Sequence, residues 1–304
     1  MRILAIGECM AELAPTEAEG EYRLGYAGDT FNTAWYLARC ARGVSVSYLT
    51  AVGNDAISRG LTVFMRSSGI DDRFVRIAPD RSIGLYLISL DRGERSFAYW
   101  RDRSAARTLA DDSAFLSGAM AASDMIYFSG ITLAILPPEK RATLLTTLAD
   151  ARRDGKTIAF DPNLRPRLWE SNEVMTAAIM DGAAASDIVL PSYEDEADWF
   201  GDVSPRATLE RYAAAGATTV VVKNGAAPVL YADRGETGEV SVDPLEEVTD
   251  TTAAGDSFNA GILAGLAADH ALADGIAYAC ALSRKVVQHK GALVETGLPA
   301  PIGP

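Results

Sequence analysis

The chain has 304 residues, 48% of them hydrophobic, and 41 acidic against 28 basic side chains give a net charge of −13. That length allows one large α/β domain or two modest ones, and the acidity excludes nucleic-acid binding without a strong local basic patch. Three cysteines (Cys9, Cys40, Cys280) and two histidines (His270, His289) exclude a disulfide framework and a multi-histidine metal centre, and no apolar run reaches membrane-spanning length. The opening residues, Met1 to Glu8, are too short and too soon acidic for a signal peptide, so a cytoplasmic protein is expected.

Short apolar runs alternate with helical stretches along the chain. Strands are predicted at 3–6, 44–52, 125–129, 157–160, 188–190 and 218–222. Helices are predicted at 30–42, 55–68, 138–153, 172–184, 257–268 and 273–288. Strands that are apolar throughout and alternate with helices indicate a mostly parallel central sheet with helices on both faces. Residues 73–101 break the pattern. They alternate like half-exposed antiparallel strands, beginning with Phe74-Val75-Arg76-Ile77 and turning at Asp91-Arg92-Gly93. With residues 11–26 they are expected to form a small β-sheet lid, leaving 1–10, 27–72 and 102–304 as the catalytic core. An exposed apolar face on such a sheet favours a homo-oligomer built through it. The tail from residue 297 is expected to be loosely ordered.

The run Asp250-Thr251-Thr252-Ala253-Ala254-Gly255-Asp256-Ser257-Phe258-Asn259-Ala260-Gly261 concentrates the chemistry. Small residues let backbone N–H groups approach a ligand, and a helix start adds donors and a positive dipole end, which suits a phosphate. Asp256 is either an N-cap or a carboxylate facing the hydroxyl that attacks the phosphate. An acid at each end and two threonines favour the second reading, a kinase acting on a small alcohol. A helix dipole and nearby N–H groups predict that Asp256 stays ionised at neutral pH. Gly28-Asp29-Thr30-Phe31-Asn32 offers a carboxylate and an amide suited to polyol hydroxyls. Phe160-Asp161-Pro162-Asn163-Leu164-Arg165 follows a buried strand, where such sheets present ligand contacts. Arg165 either grips a carboxylate or phosphate, or pairs with a nearby acid. Ser192-Tyr193-Glu194 opens a helix where Glu194 is a candidate for holding Mg²⁺ near nucleotide phosphates. Lys223-Asn224-Gly225 ends another strand. It is either a turn or a phosphate contact with Gly225 admitting the ligand. No GxxxxGK[ST] element is present, and Gly7-Glu8-Cys9-Met10 after the first strand lacks a dinucleotide-binding turn.

These motifs, together with Ser96-Phe97-Ala98-Tyr99-Trp100-Arg101 and Phe128-Ser129-Gly130-Ile131-Thr132, resemble the ribokinase (PfkB) family of carbohydrate kinases over essentially the whole chain. Within it they are most similar to the kinases of keto-deoxy sugar acids. The resemblance implies a ribokinase-like α/β fold and ATP-dependent phosphorylation of the terminal hydroxyl of 2-keto-3-deoxy-D-gluconate. It implies that Asp256 is the base and that the backbone of Ala253, Ala254 and Gly255 forms the anion hole. Gly28, Asp29, Asn32, Tyr86, Tyr99, Arg101 and Arg165 would hold the substrate. Arg101 and Arg165 would clamp its carboxylate as the lid closes. Asn163, Ser192, Lys223, Gly225 and Gly255 would lie along ATP, Glu194 would serve Mg²⁺, and Asp250 and Thr252, with carbonyls near Gly291, would hold a monovalent cation such as K⁺. No nucleic acid or membrane partner is implied. A fructokinase or ribokinase of the same fold is the alternative, and a non-catalytic sugar-binding regulator a more distant one. The sequence departs from the family's usual pattern at Ala253, where glycine is usual, and at Ala27 and Trp100. A methyl group at Ala253 is costly if φ there is positive.

Overall fold

A computed structural model describes residues 1–91, 94–245 and 247–301. Arg92 and Gly93 of the expected turn, and the end of the tail from residue 302, lie outside the described residues. The first strands are β1 (Arg2–Ile6), β2 (Met10–Pro15), β3 (Tyr22–Ala27), β4 (Ser45–Val52), β5 (Ile70–Asp71), β6 (Val75–Ile77), β7 (Leu85–Asp91) and β8 (Glu94–Trp100). Then follow β9 (Met125–Ser129), β10 (Thr157–Asp161), β11 (Ile188–Val189), β12 (Thr219–Val222), β13 (Val229–Asp233) and β14 (Glu236–Val240). The helices are α1 (Asp29–Cys40), α2 (Ala56–Ser67), α3 (Ser113–Ala121), α4 (Gly130–Ala134), α5 (Pro138–Arg153), α6 (Asn172–Ala184), α7 (Tyr193–Phe200), α8 (Pro205–Ala214), α9 (Ala254–Ala267) and α10 (Leu272–Val286).

The large sheet runs β14-β13-β12-β11-β10-β9-β1-β4-β5, with β6 also on β4. Its strands are parallel except for the β12-β13-β14 edge, which is antiparallel. Every residue of β9 is buried, as a sheet covered on both faces requires. One core lies under α1, α9 and α10, with Phe31, Leu37, Ile262 and Ile276. The other lies under α3, α5, α6 and α8, with Leu116, Leu144, Ile179 and Leu209. Helices α9 and α10 pack closely because Gly261 carries no side chain: a Cβ there would sit 2.5 Å from the Ala279 Cα. This contact anchors the helix whose first turn carries Asp256.

The second sheet has the order β3-β2-β7-β8. Two antiparallel hairpins meet through a parallel β2–β7 pair, a pairing that alternation alone does not reveal. The strand expected in this sheet at Phe74 to Ile77 belongs elsewhere: β6 pairs in parallel with β4, Thr50 opposite Val75. Phe74 there packs against the second core, so burial in the main domain overrides the local alternation. Helix α9 starts three residues before the predicted point. The turn at Ala253 already directs the Ser257 N–H onto the Ala253 carbonyl. Among the described residues no helix is long and apolar enough to cross a membrane.

Candidate active site

The carboxyl ends of β1, β9, β10, β11 and β12 deliver Glu8, Ser129, Asp161, Ser192 and Lys223 to one edge of the sheet, where ligands of open α/β folds bind. The first turn of α9 faces the same edge. Asp250 Oδ1 accepts from the Thr252 N–H (3.1 Å) and hydroxyl (2.7 Å), and its Oδ2 accepts from the Gly291 N–H (2.7 Å). The loop before the helix is thereby tied to the far end of the chain. Helix α9 has no side-chain cap, so its dipole end stays open for an anion. The Ala254 N–H donates to the Thr251 carbonyl, which leaves the N–H groups of Gly255 and Asp256 as the better placed donors of the expected anion hole.

Ala253 has φ 60°, in the left-handed region. The methyl group is therefore strained where glycine is free. Ala253→Gly is expected to stabilise the protein by about 0.5–1 kcal/mol, since relief of the left-handed strain exceeds the cost of glycine's greater freedom in the unfolded chain. Equilibrium urea unfolding of the two proteins checks this, and a less stable glycine variant would contradict it.

Three carboxylates converge on this turn. Asp256 Oδ2 accepts from the Asn32 amide at 2.7 Å. Asn32 in turn takes the Gly28 N–H on its Oδ1 (3.3 Å). Gly28 must be glycine, because a Cβ would lie 2.1 Å from the Glu8 carbonyl oxygen. Asp29 accepts from the Asn163 amide at 3.0 Å. Burial raises the Asp29 carboxyl, and hydrogen bonds from Ser129, Thr30 and Asn163 pull it partly back. Burial, then the charges of Asp29 and Asp161, push the Asp256 carboxyl up to about 8, against the hydrogen bond from Asn32 and the charge of Lys223. The expectation that Asp256 stays ionised at neutral pH is thus corrected. The helix dipole is outweighed by desolvation and two neighbouring acids.

A base must be ionised to act, so activity rises with pH as the Asp256 proton leaves. The acid limb of kcat/KM, which reports the free enzyme, is expected near pH 8 rather than near 4. Stability runs the other way. A folded-state pKa above the unfolded one favours the native state at low pH, and that contribution is lost as pH rises through about 8. A pH–rate profile flat from pH 5 to 9 would contradict the assignment.

Beside the turn lies a cavity of about 790 Å³. Ser192, Glu194, Lys223, Gly225, Ala254 and Gly255 contribute to its wall, as do the apolar Val229, Val242, Val248, Phe258 and Val287. That size and polarity suit a nucleotide, with the base on the valines and the phosphates on the helix start. Asn163, expected along ATP, is not in its wall. The Asn163 amide holds Asp29 instead. Among the described residues no three metal-ligating side chains cluster; the carboxylates in this wall are Glu194, Asp198 and Asp243, and Glu194 stands in the first turn of α7 beside Ser192.

The small sheet contributes differently from expectation. The Arg101 guanidinium is paired with the buried Glu8, whose carboxylate also accepts from the Ser104 hydroxyl. Its Nε is buried with no hydrogen-bond partner among the described residues. Arg165 is held by a different acid: its half-exposed side chain lies 3.6 Å from Asp195. Each of the two arginines is thus paired with a different acid in this structure. The Tyr86 hydroxyl donates to Glu12, and the Tyr86 ring lies 5.8 Å from that of the exposed Tyr99. Tyr99 and Arg101 line a second cavity of about 570 Å³ with Arg81 and Arg103. Sequence reasoning passed over Glu8, Tyr127, Asp161 and Asn259. Asp161 and Asn259 stood inside the quoted motifs, flanked by residues that drew attention first.

An uncapped helix start, a raised carboxylate beside it and a nucleotide-sized cavity at the strand ends define a small-molecule kinase site on a ribokinase-like fold. The profile described as pfkB family carbohydrate kinase matches residues 1–297, and the chain belongs to that family. It is 38% identical to the 2-dehydro-3-deoxygluconokinase of Haemophilus influenzae, over 97% of this chain and 96% of that protein. A fructokinase of Klebsiella pneumoniae is 29% identical, over 97% and 93%. The crystal structure of a PfkB protein from a Polaromonas species superposes with a TM-score of 0.85 at 27% identity, covering 98% of this chain and 96% of that one. A ribokinase-II-type protein of E. coli, solved with ATP and Mg²⁺, shares the fold at a TM-score of 0.83 and 22% identity, over 97% and 96%.

Proposed function

We propose that this protein transfers the γ-phosphoryl group of ATP to the terminal hydroxyl of 2-keto-3-deoxy-D-gluconate in the cytoplasm, giving the 6-phosphate and ADP. The observation that carries the reading is Asp256, hydrogen-bonded to Asn32 on a helix whose neighbouring residues Ala254 and Gly255 open onto the nucleotide cavity. The identity to 2-dehydro-3-deoxygluconokinases across nearly the whole chain supports the substrate. The more distant fructokinase likeness makes fructose the second candidate.

In this reading Asn32 and Asp29 bind sugar hydroxyls and fix the reacting one against Asp256. The hydroxyl oxygen attacks the γ-phosphorus, the bond to the β–γ bridging oxygen breaks, ADP leaves, and Asp256 takes the proton. N–H groups at the start of α9 receive the charge that develops on the phosphoryl oxygens. Mg²⁺ bound with ATP, near Glu194, supplies further charge neutralisation. Arg101, with an unused buried Nε, is the donor for the substrate carboxylate, and Glu8 shares it. Asp250 and Thr252 are the residues we assign to a monovalent cation. The exposed Tyr22, Leu24, Phe97, Tyr99 and Trp100 of the small sheet support docking of a second copy, which light scattering tests, a strict monomer excluding it.

An ADP-release assay over 2-keto-3-deoxygluconate, its galactonate epimer, fructose and ribose tests the substrate. The sugar acid is expected to be preferred, and Arg101→Ala to lower kcat/KM for it by about 100-fold while touching fructose little. A preference for fructose or ribose indifferent to Arg101 would refute the assignment.

A further inference from the structure

The third carboxylate of the site, Asp161, enters the chemistry above only through its charge on Asp256, yet it is buried at the end of β10 with both oxygens engaged. Its Oδ1 accepts from the Lys223 ammonium at 3.2 Å. Its Oδ2 accepts from the Asn259 amide at 2.7 Å. Asn259 closes the ring: its Oδ1 accepts from the same ammonium at 3.1 Å, and its Nδ2 also donates to the Tyr127 hydroxyl at 3.0 Å. The Thr33 hydroxyl lies 3.3 Å from that of Tyr127 and 3.1 Å from the Asp256 carbonyl, so the ring is joined to the backbone of the reacting residue.

An ammonium has three protons, and this ring takes two. The Lys223 Nζ stands 3.8 Å from the position of a Cβ at Gly255, directly over the first turn of α9, and Lys223 lines the nucleotide cavity. The third proton is therefore available on the phosphate side. The alternative fate of a flexible lysine among three acids is to pair with Asp256 and quench the base. Asp161 and Asn259 hold it away from that partner.

We propose that Asp161 and Asn259 are positioning residues that aim the Lys223 ammonium at the phosphoryl group being transferred. The proposal rests on the ATP-dependent reading above. Lys223 then meets the γ-phosphoryl oxygens, where charge must be stabilised, and its partners keep its long side chain in one place.

The test compares Asp161→Asn, Lys223→Met and the double variant, by steady-state kinetics and by calorimetric titration with Mg·ATP and Mg·ADP. Asp161→Asn is expected to lower kcat by about 10-fold or more, with the sugar-acid KM within about 2-fold. Lys223→Met is expected to weaken ATP by about 10-fold and ADP by much less. Once Lys223 is gone, Asp161→Asn is expected to cost less than about 2-fold more, because the two act as one unit. Lys223→Arg is expected to recover part of the ATP preference. Should Asp161→Asn fail to fold, Asn259→Ser carries the same comparison. Equal costs of the Asp161 change with and without Lys223, or an ATP-to-ADP preference unaltered in Lys223→Met, would overturn the proposal. The nucleotide titrations need no sugar, so they decide it even if the wild type proves to phosphorylate another sugar.

Discussion

Asp256→Asn is expected to lower kcat by about three to four powers of ten, in a protein that stays folded and becomes more stable. The activity loss follows from the proton. Asparagine keeps the size of the side chain and an oxygen for the Asn32 amide, which now lies 2.7 Å from Asp256, but it cannot accept the hydroxyl proton. The stability gain follows from the environment. Burial and the charges of Asp29 and Asp161 oppose an ionised Asp256, and a neutral amide escapes both. At pH 9 the gain is expected to be on the order of 2 kcal/mol, below the full proton-linkage figure because the carboxylate keeps access to the cleft. Thermal unfolding at pH 5 and pH 9 separates the two effects. The gain should be small at pH 5, where the wild-type carboxyl is already protonated, and large at pH 9. A variant retaining a tenth of the wild-type turnover would remove Asp256 from the base role.

Gly255→Ala separates fold from function in another way. Gly255 lies in the first turn of α9, and a Cβ there meets only the Lys223 Nζ, at an ordinary contact distance of 3.8 Å. Alanine is the better helix former by roughly 0.5–1 kcal/mol, so the variant is expected to be at least as stable as wild type. The methyl group would nevertheless occupy the space between helix start and lysine, where the phosphoryl group must sit. A fall in kcat of about 100-fold is expected, comparable with loss of one oxyanion donor. Full activity would show that the phosphoryl group does not pass over Gly255.

Much of the fold was legible because its strands are short, apolar and buried on both faces. The predicted helices at 138–153 and 172–184 coincide with α5 and α6. Their starts are marked by Pro138 and by Ser171, whose hydroxyl caps the Val174 N–H. Phe74 to Ile77 misled because alternation reports only one exposed face, and β6, a strand beside β4, also has one. The run of small residues at Ala253, Ala254 and Gly255 points to an anion site because few other roles need that many small residues beside two acids. The charge state of Asp256 was not legible. It depends on Asp29 and Asp161, which are 227 and 95 positions away in sequence and meet only after folding. Arg101 is expected at the site from its motif, but its pairing with Glu8 joins two segments 93 residues apart and is not legible. The ring around Lys223 is of the same kind, assembled from the ends of β10 and β12 and from α9.

In the function proposed here, Asp256 and the start of α9 pass the γ-phosphoryl group of ATP to the terminal hydroxyl of a keto-deoxy sugar acid. The most direct measurement is ³¹P NMR of wild type incubated with Mg·ATP and 2-keto-3-deoxygluconate. One new phosphomonoester coupled to the C6 protons, appearing in step with ADP and absent with Asp256→Asn, is the predicted result. ADP without an ester, an ester on another carbon, or an ester formed equally by the Asp256→Asn variant would contradict the account.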